Sequence, residues 1–95
     1  MEVRFTRRVL GDIDNVERYI SQQGYPETAF AYTNLILDFA RALSLFPEKY
    51  SVCKYPAFMK RGFRCAPFDS YILVYRINGK VVEALRLIHG KRLNY

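Results

Sequence analysis

The dipeptide Asn78-Gly79 lies between two runs of β-branched and aromatic residues, and it constrains the fold more than any other feature of the sequence. Residues 71–77 read YILVYRI, and residues 80–89 read KVVEALRLIH. Asn-Gly tolerates the positive φ angles of a type I′ turn, so the two runs are predicted to form an antiparallel hairpin. With a loop of two residues, Ile77 pairs with Lys80, and counting outward places Tyr75 opposite Val82.

The same count divides the hairpin into two largely apolar faces. Tyr71, Leu73 and Tyr75 share one face with Ala84 and Arg86. The other face carries four aliphatic residues among its members, namely Ile72, Val74, Leu85 and Leu87. Because both faces are apolar, one must pack on helices and the other needs a separate cover. The uncovered face is a candidate partner-binding groove.

The first half of the chain has the apolar spacing of two helices. Thr6 is a predicted N-cap, Gly24 a stop and Pro26 the start of the second helix, which Pro47 ends. The first apolar stripe comprises Val9, Ile13, Val16 and Ile20, and the second comprises Tyr32, Ile36, Phe39, Leu43 and Phe46. Residues 2–5 are a predicted edge strand, and FRCAPF at residues 63–68 is a further strand before a turn at Asp69-Ser70.

These elements predict an α+β fold, in which an N-terminal strand and an antiparallel helix hairpin pack on a small, mainly antiparallel β-sheet. A chain of 95 residues with 51% hydrophobic residues is expected to form one domain over residues 1–95. Its apolar runs are short and interrupted by charge, so we expect a cytoplasmic protein with no membrane partner.

Cys53 and Cys65 are the only cysteines, and His89 is the only histidine. This set has too few ligands for a zinc finger, and we expect no metal or other cofactor. The simplest prediction for the two cysteines is a pair of reduced, partly buried thiols.

Positive charge is concentrated in the second half of the chain. Residues 1–53 carry a net charge of −1, whereas residues 54–95 have nine basic and two acidic residues, a net charge of +7. A localised basic surface attracts nucleic acid or an acidic protein, although many charged faces serve only solubility. Arg64, Lys91 and Arg92 are predicted to share one end of the sheet.

Arg86 is the exception among these basic residues, because it lies in the middle of an apolar strand. A buried arginine needs a carboxylate partner, and the first helix offers Asp12, Asp14 or Glu17. Tyr71, its predicted cross-strand neighbour, can stack on it.

The order of elements and two short motifs resemble the RelE/ParE family of bacterial toxins, and its ParE-like members in particular. The first motif is the spacing of Arg64, Pro67, Tyr71, Tyr75 and Arg76, and the second is the closing Leu85-Arg86-x-x-His89-Gly90-x-Arg92. The resemblance implies the toxin of a type II toxin–antitoxin module, neutralised by a cognate antitoxin. That antitoxin would cover the second sheet face at Ile72, Val74, Leu85 and Leu87, and the toxin would meet operator DNA only through it.

The resemblance implies two alternative activities. RelE-like members cut mRNA on the ribosome, and the candidate catalytic residues for that activity are Arg64, His89, Arg92 and Tyr95. ParE-like members inhibit DNA gyrase without such a constellation, and the target-binding candidates are then Arg64, Lys91 and Arg92. Because Ile72 follows Tyr71 where the nucleases carry arginine, and their lysine-rich second strand is absent, we favour the ParE-like activity. A third possibility is a non-toxic relative that binds only its antitoxin.

Overall fold

The computed structural model describes residues 1–93 and has the α+β architecture that the sequence predicts. Four strands form one sheet in the order β1-β4-β3-β2, with β1 parallel to β4 and the other pairs antiparallel. The elements, in chain order, are β1 (Glu2–Phe5), α1 (Arg7–Gln22), α2 (Pro26–Ala42), α3 (Pro56–Met59), β2 (Arg64–Phe68), β3 (Tyr71–Asn78) and β4 (Val81–His89), followed by a 3₁₀ turn at Gly90–Arg92.

Both long helices begin where their capping residues predict. The Thr6 hydroxyl accepts a hydrogen bond from the Val9 N–H at 3.1 Å, and Pro26 is the first residue of α2. α2 ends at Ala42, however, and the chain continues in tighter turns in which Leu45 N–H bonds to the Ala42 carbonyl. The helical spacing therefore stops short of Phe46, which is 69% exposed, and the prediction that Phe46 joins the core is wrong.

The two helices cover one face of the sheet. Their apolar stripes meet the side chains of Leu73, Tyr75, Val82, Ala84 and Leu87 in one core cluster. Tyr75 is fully buried, and its hydroxyl donates to the Pro47 carbonyl at 2.7 Å. A buried phenol thus keeps its hydrogen bond while its ring fills the core.

The hairpin register differs from the predicted one because the turn uses different central residues. Asn78 pairs with Val81, so the loop is Gly79-Lys80, and Gly79 has a φ of +62°. A glycine at the first central position suits a type II′ turn, whereas the prediction placed Asn78 there. Tyr75 consequently lies opposite Ala84 rather than Val82.

A β-bulge changes the faces in the second part of β4. Leu85 and Arg86 together oppose Val74, after which Leu87 pairs with Leu73 and His89 with Tyr71. The bulge turns Leu87 toward the helices, where it is 5% exposed in the core. The predictions that Leu87 shares a face with Leu85, and that Tyr71 lies opposite Arg86, are therefore wrong.

Part of the segment before β2 returns antiparallel beside that strand. Val52 forms an isolated bridge with Arg64, and Cys53 is joined to Cys65 by a disulfide. The prediction of two free thiols is wrong because this return path brings the two Cα atoms within 4.9 Å, which their separation of 12 residues does not reveal. Val74, opposite Cys65 on β3, is fully buried.

Residues 1–93 contain no helix with the length and apolar character needed to cross a membrane.

Candidate functional site at the open edge of β4

The second part of β4 lies on the edge of the sheet because β1 is short. β1 ends at Phe5, where the Thr6 hydroxyl is within hydrogen-bond distance of the carbonyls of Ala84 and Leu85, at 3.1 Å and 3.2 Å. The chain then enters α1, which packs against β4. Beyond Ala84, β4 no longer pairs with β1, and α1 lies along that edge of the strand instead.

Asp12 joins α1 to this edge. Its Oδ2 accepts from Arg86 Nε at 2.9 Å and from the Leu87 N–H at 2.9 Å, while Oδ1 lies 3.9 Å from Arg8 Nε. The side chain of Asp12 is 12% exposed and that of Arg86 is 32% exposed. The prediction that Arg86 needs a carboxylate on the first helix is confirmed, and Asp12 is that residue.

A groove of about 550 Å³ lies between α1, the end of β4 and the 3₁₀ turn. On α1 the residues Asp12, Asn15 and Tyr19 stand at i, i+3 and i+7, so they line one side of the helix. The other lining residues are Val16, Tyr71, Arg86, Leu87, Ile88, His89 and Arg92. The groove therefore combines two arginines and two tyrosines with one carboxylate that is already paired.

Charges and hydroxyls meet at the outer end of this groove. Burial raises the pKa of Tyr71, and the guanidinium of Arg92 acts against that rise. The Tyr19 and Asp69 side chains add to the rise in the pKa of Tyr71. Arg92 belongs to no ion pair within residues 1–93.

The C-terminal turn that carries Arg92 is fixed at two points. The Lys91 N–H donates to Nδ1 of His89 at 3.2 Å, and the Gly90 N–H donates to the Ser70 carbonyl at 2.8 Å. The His89 ring also packs edge-on against Tyr71, with ring centroids 5.2 Å apart. Since Nδ1 accepts, Nε2 carries the hydrogen of the neutral imidazole.

Arg64 does not join Lys91 and Arg92, so the prediction that the three share a sheet end is wrong. β2 runs antiparallel to β3 and pairs Arg64 with Tyr75, whereas the 3₁₀ turn lies beyond Tyr71. Four residues of strand separate the two places, roughly 13 Å. The guanidinium of Arg64 donates to the Tyr50 carbonyl at 2.6 Å, which turns it toward the segment before β2.

The remaining predicted site residues have separate positions. Lys91 is exposed and does not line the groove. Ile72 and Leu85 are half-buried on the face away from the helices, where Ile88 pairs with Ile72, but Val74 on that face is already covered. Tyr95 lies outside the described residues.

Asn15 and Tyr19 were not predicted from the sequence. Tyr19 is 65% exposed on the polar side of an amphipathic helix, which is an unusual place for a large aromatic ring. That exposure was the available signal, although the sequence does not indicate that this side of α1 faces the edge of β4.

The fold is also that of a solved toxin–antitoxin protein. A chain from the structure described as a chromosomal ParDE TA system from P. aeruginosa superimposes with a TM-score of 0.81. The match covers 94% of this chain and 95% of that chain, at 19% sequence identity. The α+β class predicted from the sequence is thus the fold of that protein.

The sequence comparisons define the family. Residues 3–94 match the family described as the ParE toxin of the type II toxin–antitoxin system parDE. Toxin ParE3 of Caulobacter vibrioides is 30% identical over 86 residues, which cover 90% of this chain and 83% of that protein. This chain belongs to the ParE family of type II toxins, as the order of its elements and its two motifs together indicated.

Proposed function

We propose that this protein inhibits DNA gyrase and is neutralised by a cognate antitoxin. The observation that carries the proposal is the family match over residues 3–94, which includes both the sheet and the basic C-terminal segment. A gyrase inhibitor needs a surface that binds a protein–DNA complex, and it needs no catalytic constellation of its own.

The C-terminal turn supplies such a surface. Lys91 and Arg92 are both exposed, and neither forms an ion pair in the described part of the chain. Their charge is therefore available to attract a negatively charged target. We assign target contact to Lys91 and Arg92, and we give Arg64 a structural role because its guanidinium holds the Tyr50 carbonyl.

The placement of the nuclease candidates favours gyrase inhibition over RelE-like cleavage of mRNA. Cleavage by a 2′-hydroxyl needs a base, a cation for the phosphate and an acid for the leaving oxygen around one bond. Arg64 is separated from His89 and Arg92, and Nδ1 of His89 is engaged by the Lys91 N–H. Among the nuclease candidates in residues 1–93, His89 and Arg92 therefore lie together without Arg64.

The antitoxin surface that we propose is the face of the sheet away from the helices. Ile72 and Leu85 remain half-buried there, and Ile88 takes the place that was predicted for Leu87. Val74 is fully buried in the isolated chain, so it would support the antitoxin contact from below without touching the antitoxin. These side chains form an apolar strip on the outer face of β3 and β4. An apolar strip of this kind suits an extended or helical peptide segment.

Two assays with purified toxin test the proposal. The first measures supercoiling and cleavage complexes with purified gyrase, and the second measures synthesis from preformed mRNA in a reconstituted, gyrase-free translation system, followed by primer extension. The variant Lys91→Ala/Arg92→Ala removes the proposed target contact. The matched control is Lys60→Ala/Arg61→Ala, which removes two exposed charges from the loop after α3.

We expect gyrase inhibition by the wild type and the control, reduced inhibition by the Lys91/Arg92 variant, and undisturbed translation. Codon-positioned cuts in the mRNA would overturn the proposal in favour of the RelE-like nuclease. A folded wild type inactive in both assays would overturn it in favour of a non-toxic relative that binds only its antitoxin.

A further inference from the structure

We propose that the groove between α1 and the end of β4 binds a nucleotide, with the phosphate at Arg92 and the base against Tyr19. The groove adjoins the outer sheet face assigned to the antitoxin and shares Ile88 with it. The proposal does not depend on gyrase being the target. It concerns binding only, and no bond of the nucleotide is made or broken.

The size of the groove is the first argument. Its volume of about 550 Å³ lies within the range of roughly 300–1,000 Å³ that small-molecule sites occupy. A bare phosphate would fill only a small part of it. The groove therefore has room for a sugar and a base beside the phosphate.

The charges favour an anion. Arg92 has no ion-pair partner in residues 1–93. Arg86 binds Asp12 through Nε, and its side chain is 32% exposed. Asp12, the only carboxylate that residues 1–93 contribute to the lining, is compensated by Arg86, the Leu87 N–H and Arg8. An arginine fork matches phosphate oxygens in geometry as well as charge.

The neighbouring donors add specificity for a phosphate ester. The hydroxyl of Tyr71, the side-chain amide of Asn15 and Nε2–H of His89 belong to residues that line the same groove as Arg92. The hydrogen bond from Lys91 N–H to Nδ1 and the ring contact with Tyr71 fix the imidazole, so that donor is held in place. A fixed set of donors costs less entropy on binding than a mobile one.

The aromatic rings favour a base. Tyr19 is 65% exposed and stands one helical turn beyond Asn15 on the groove side of α1. Any of the bases can gain binding energy by stacking on a tyrosine, because each base has a π-face. The exposed ring of Tyr19, which burial in the core does not explain, then has a function.

The test is a titration followed by NMR chemical shifts of the full-length protein. The probes are adenosine 5′-monophosphate, adenosine, inorganic phosphate and acetate. We expect the monophosphate to bind most tightly and to shift the signals of Asn15, Tyr19, Tyr71, His89 and Arg92. Arg92→Ala should weaken that binding roughly tenfold, the loss expected from one charge-assisted contact.

Two matched variants separate the groove from general electrostatics. Lys91→Ala removes the same charge one residue away, outside the groove, and should change the affinity less than twofold or so. Tyr19→Ala should weaken binding of the monophosphate roughly tenfold but leave inorganic phosphate unchanged, whereas Tyr19→Phe should behave as the wild type. Both sites are exposed, so these variants keep the fold.

A further arm distinguishes the source of the nucleotide. A short single-stranded oligonucleotide with a 5′-phosphate that binds more tightly than the mononucleotide would indicate a nucleic-acid end, and equal binding would indicate a free nucleotide. The proposal is overturned if acetate or inorganic phosphate competes as well as the monophosphate, if Lys91→Ala and Arg92→Ala lose equal affinity, or if no probe shifts the groove signals. None of these results bears on gyrase inhibition, so the two proposals can fail separately.

Discussion

Asp12 on α1 and Arg86 on β4 form an ion pair at 2.9 Å, and the same carboxylate oxygen also accepts the Leu87 N–H at 2.9 Å. The bulge at Leu85 and Arg86 turns Leu87 into the core, and the edge position leaves its N–H without a strand partner on that side. Asp12 therefore satisfies an edge donor and a half-buried cation at once. It fixes the groove wall as well as the helix.

Replacing Asp12 by Ala should lower the free energy of unfolding by about 2–3 kcal/mol, because both donors lose a charge-assisted partner in a partly buried place. Asp14→Ala is the matched control. Asp14 pairs only with Arg18, and both side chains are about two-thirds exposed, so its loss should cost less than about 0.5 kcal/mol. Urea unfolding measures both. Equal effects of the two variants would show that Asp12 is an ordinary surface charge.

The disulfide makes a second prediction. Cys53–Cys65 closes a loop of 12 residues, and loop-closure entropy gives about 3 kcal/mol of stabilisation relative to the open chain. Dithiothreitol should therefore lower the urea midpoint of the wild type. The variant Cys53→Ala/Cys65→Ala should begin at the lower midpoint and show no response to the reductant. A wild type that is insensitive to reduction would contradict a stabilising bridge.

Gly79 and Gly11 provide a contrasting pair of substitutions. A Cβ would meet no atom within 4 Å at either position, but Gly79 has a φ of +62°. Gly79→Ala should destabilise the protein by about 1–2 kcal/mol because alanine is strained at that angle. Gly11→Ala, in the exposed interior of α1, should stabilise it by about 0.5–1 kcal/mol. Thermal unfolding checks the signs, and two changes of the same sign would contradict the turn geometry.

These local elements are the part of the fold that the sequence predicts well. Thr6 and Pro26 each act within a few residues of chain, so their effect can be predicted without knowing what they pack against. The Asn78-Gly79 dipeptide likewise predicts the hairpin, although it does not give the register. The carboxylate partner of Arg86 was predictable for a different reason. A half-buried cation in an apolar strand requires one, and α1 is the element that packs beside it.

The parts that were mispredicted depend on the rest of the molecule. The different turn residues shifted the pairing along the hairpin, and the bulge at Leu85 and Arg86 moved Leu87 to the other face. Neither feature has a strong sequence signal. The disulfide depends on the path of the segment before β2, and the distance of Arg64 from Arg92 depends on the register of β2. Tyr19 was missed because its position matters only once α1 lies along the open edge of β4.

Tyr32 predicts how stability changes at alkaline pH. Burial first, and then the hydrogen bond that its hydroxyl donates to Asp69 at 2.9 Å, raise the pKa of Tyr32 well above its ordinary value of 10.0. The folded protein therefore holds this proton more tightly than the unfolded chain. The corresponding stability is fully present below about pH 10 and is lost as the pH rises toward the folded pKa.

Denaturation at several pH values between about 8 and 11 measures this loss. Tyr32→Phe keeps the ring contacts with Phe68 and Tyr71. The substitution should lower the free energy of unfolding by about 1 kcal/mol near neutral pH, because the hydrogen bond is lost. As the pH rises, the free energy of unfolding of the variant should fall less steeply than that of the wild type. Tyr25→Phe, at an exposed ring, should follow the wild-type curve. If stability falls with pH in parallel for Tyr32→Phe and the wild type, ionisation of Tyr32 does not cause the loss of stability at alkaline pH.

The outer sheet face gives the prediction closest to the proposed antitoxin contact. Leu85 and Leu87 are two residues apart on β4, yet the bulge places Leu85 on the outer face and Leu87 in the core. Leu85→Asp should leave the protein folded and should weaken binding of the proposed cognate antitoxin at least about tenfold, because a charge would enter an apolar contact. Leu87→Asp should prevent stable folding, because its carboxylate would be buried without a partner.

Circular dichroism and calorimetric titration with the purified antitoxin distinguish the two effects. A folded Leu85→Asp variant that binds with wild-type affinity would exclude this part of the face from the contact. Unfolding of Leu85→Asp together with tolerance of Leu87→Asp would contradict the bulge itself. In that case the register of the sheet, and with it the position of the groove beside Asp12, would be different from the one described.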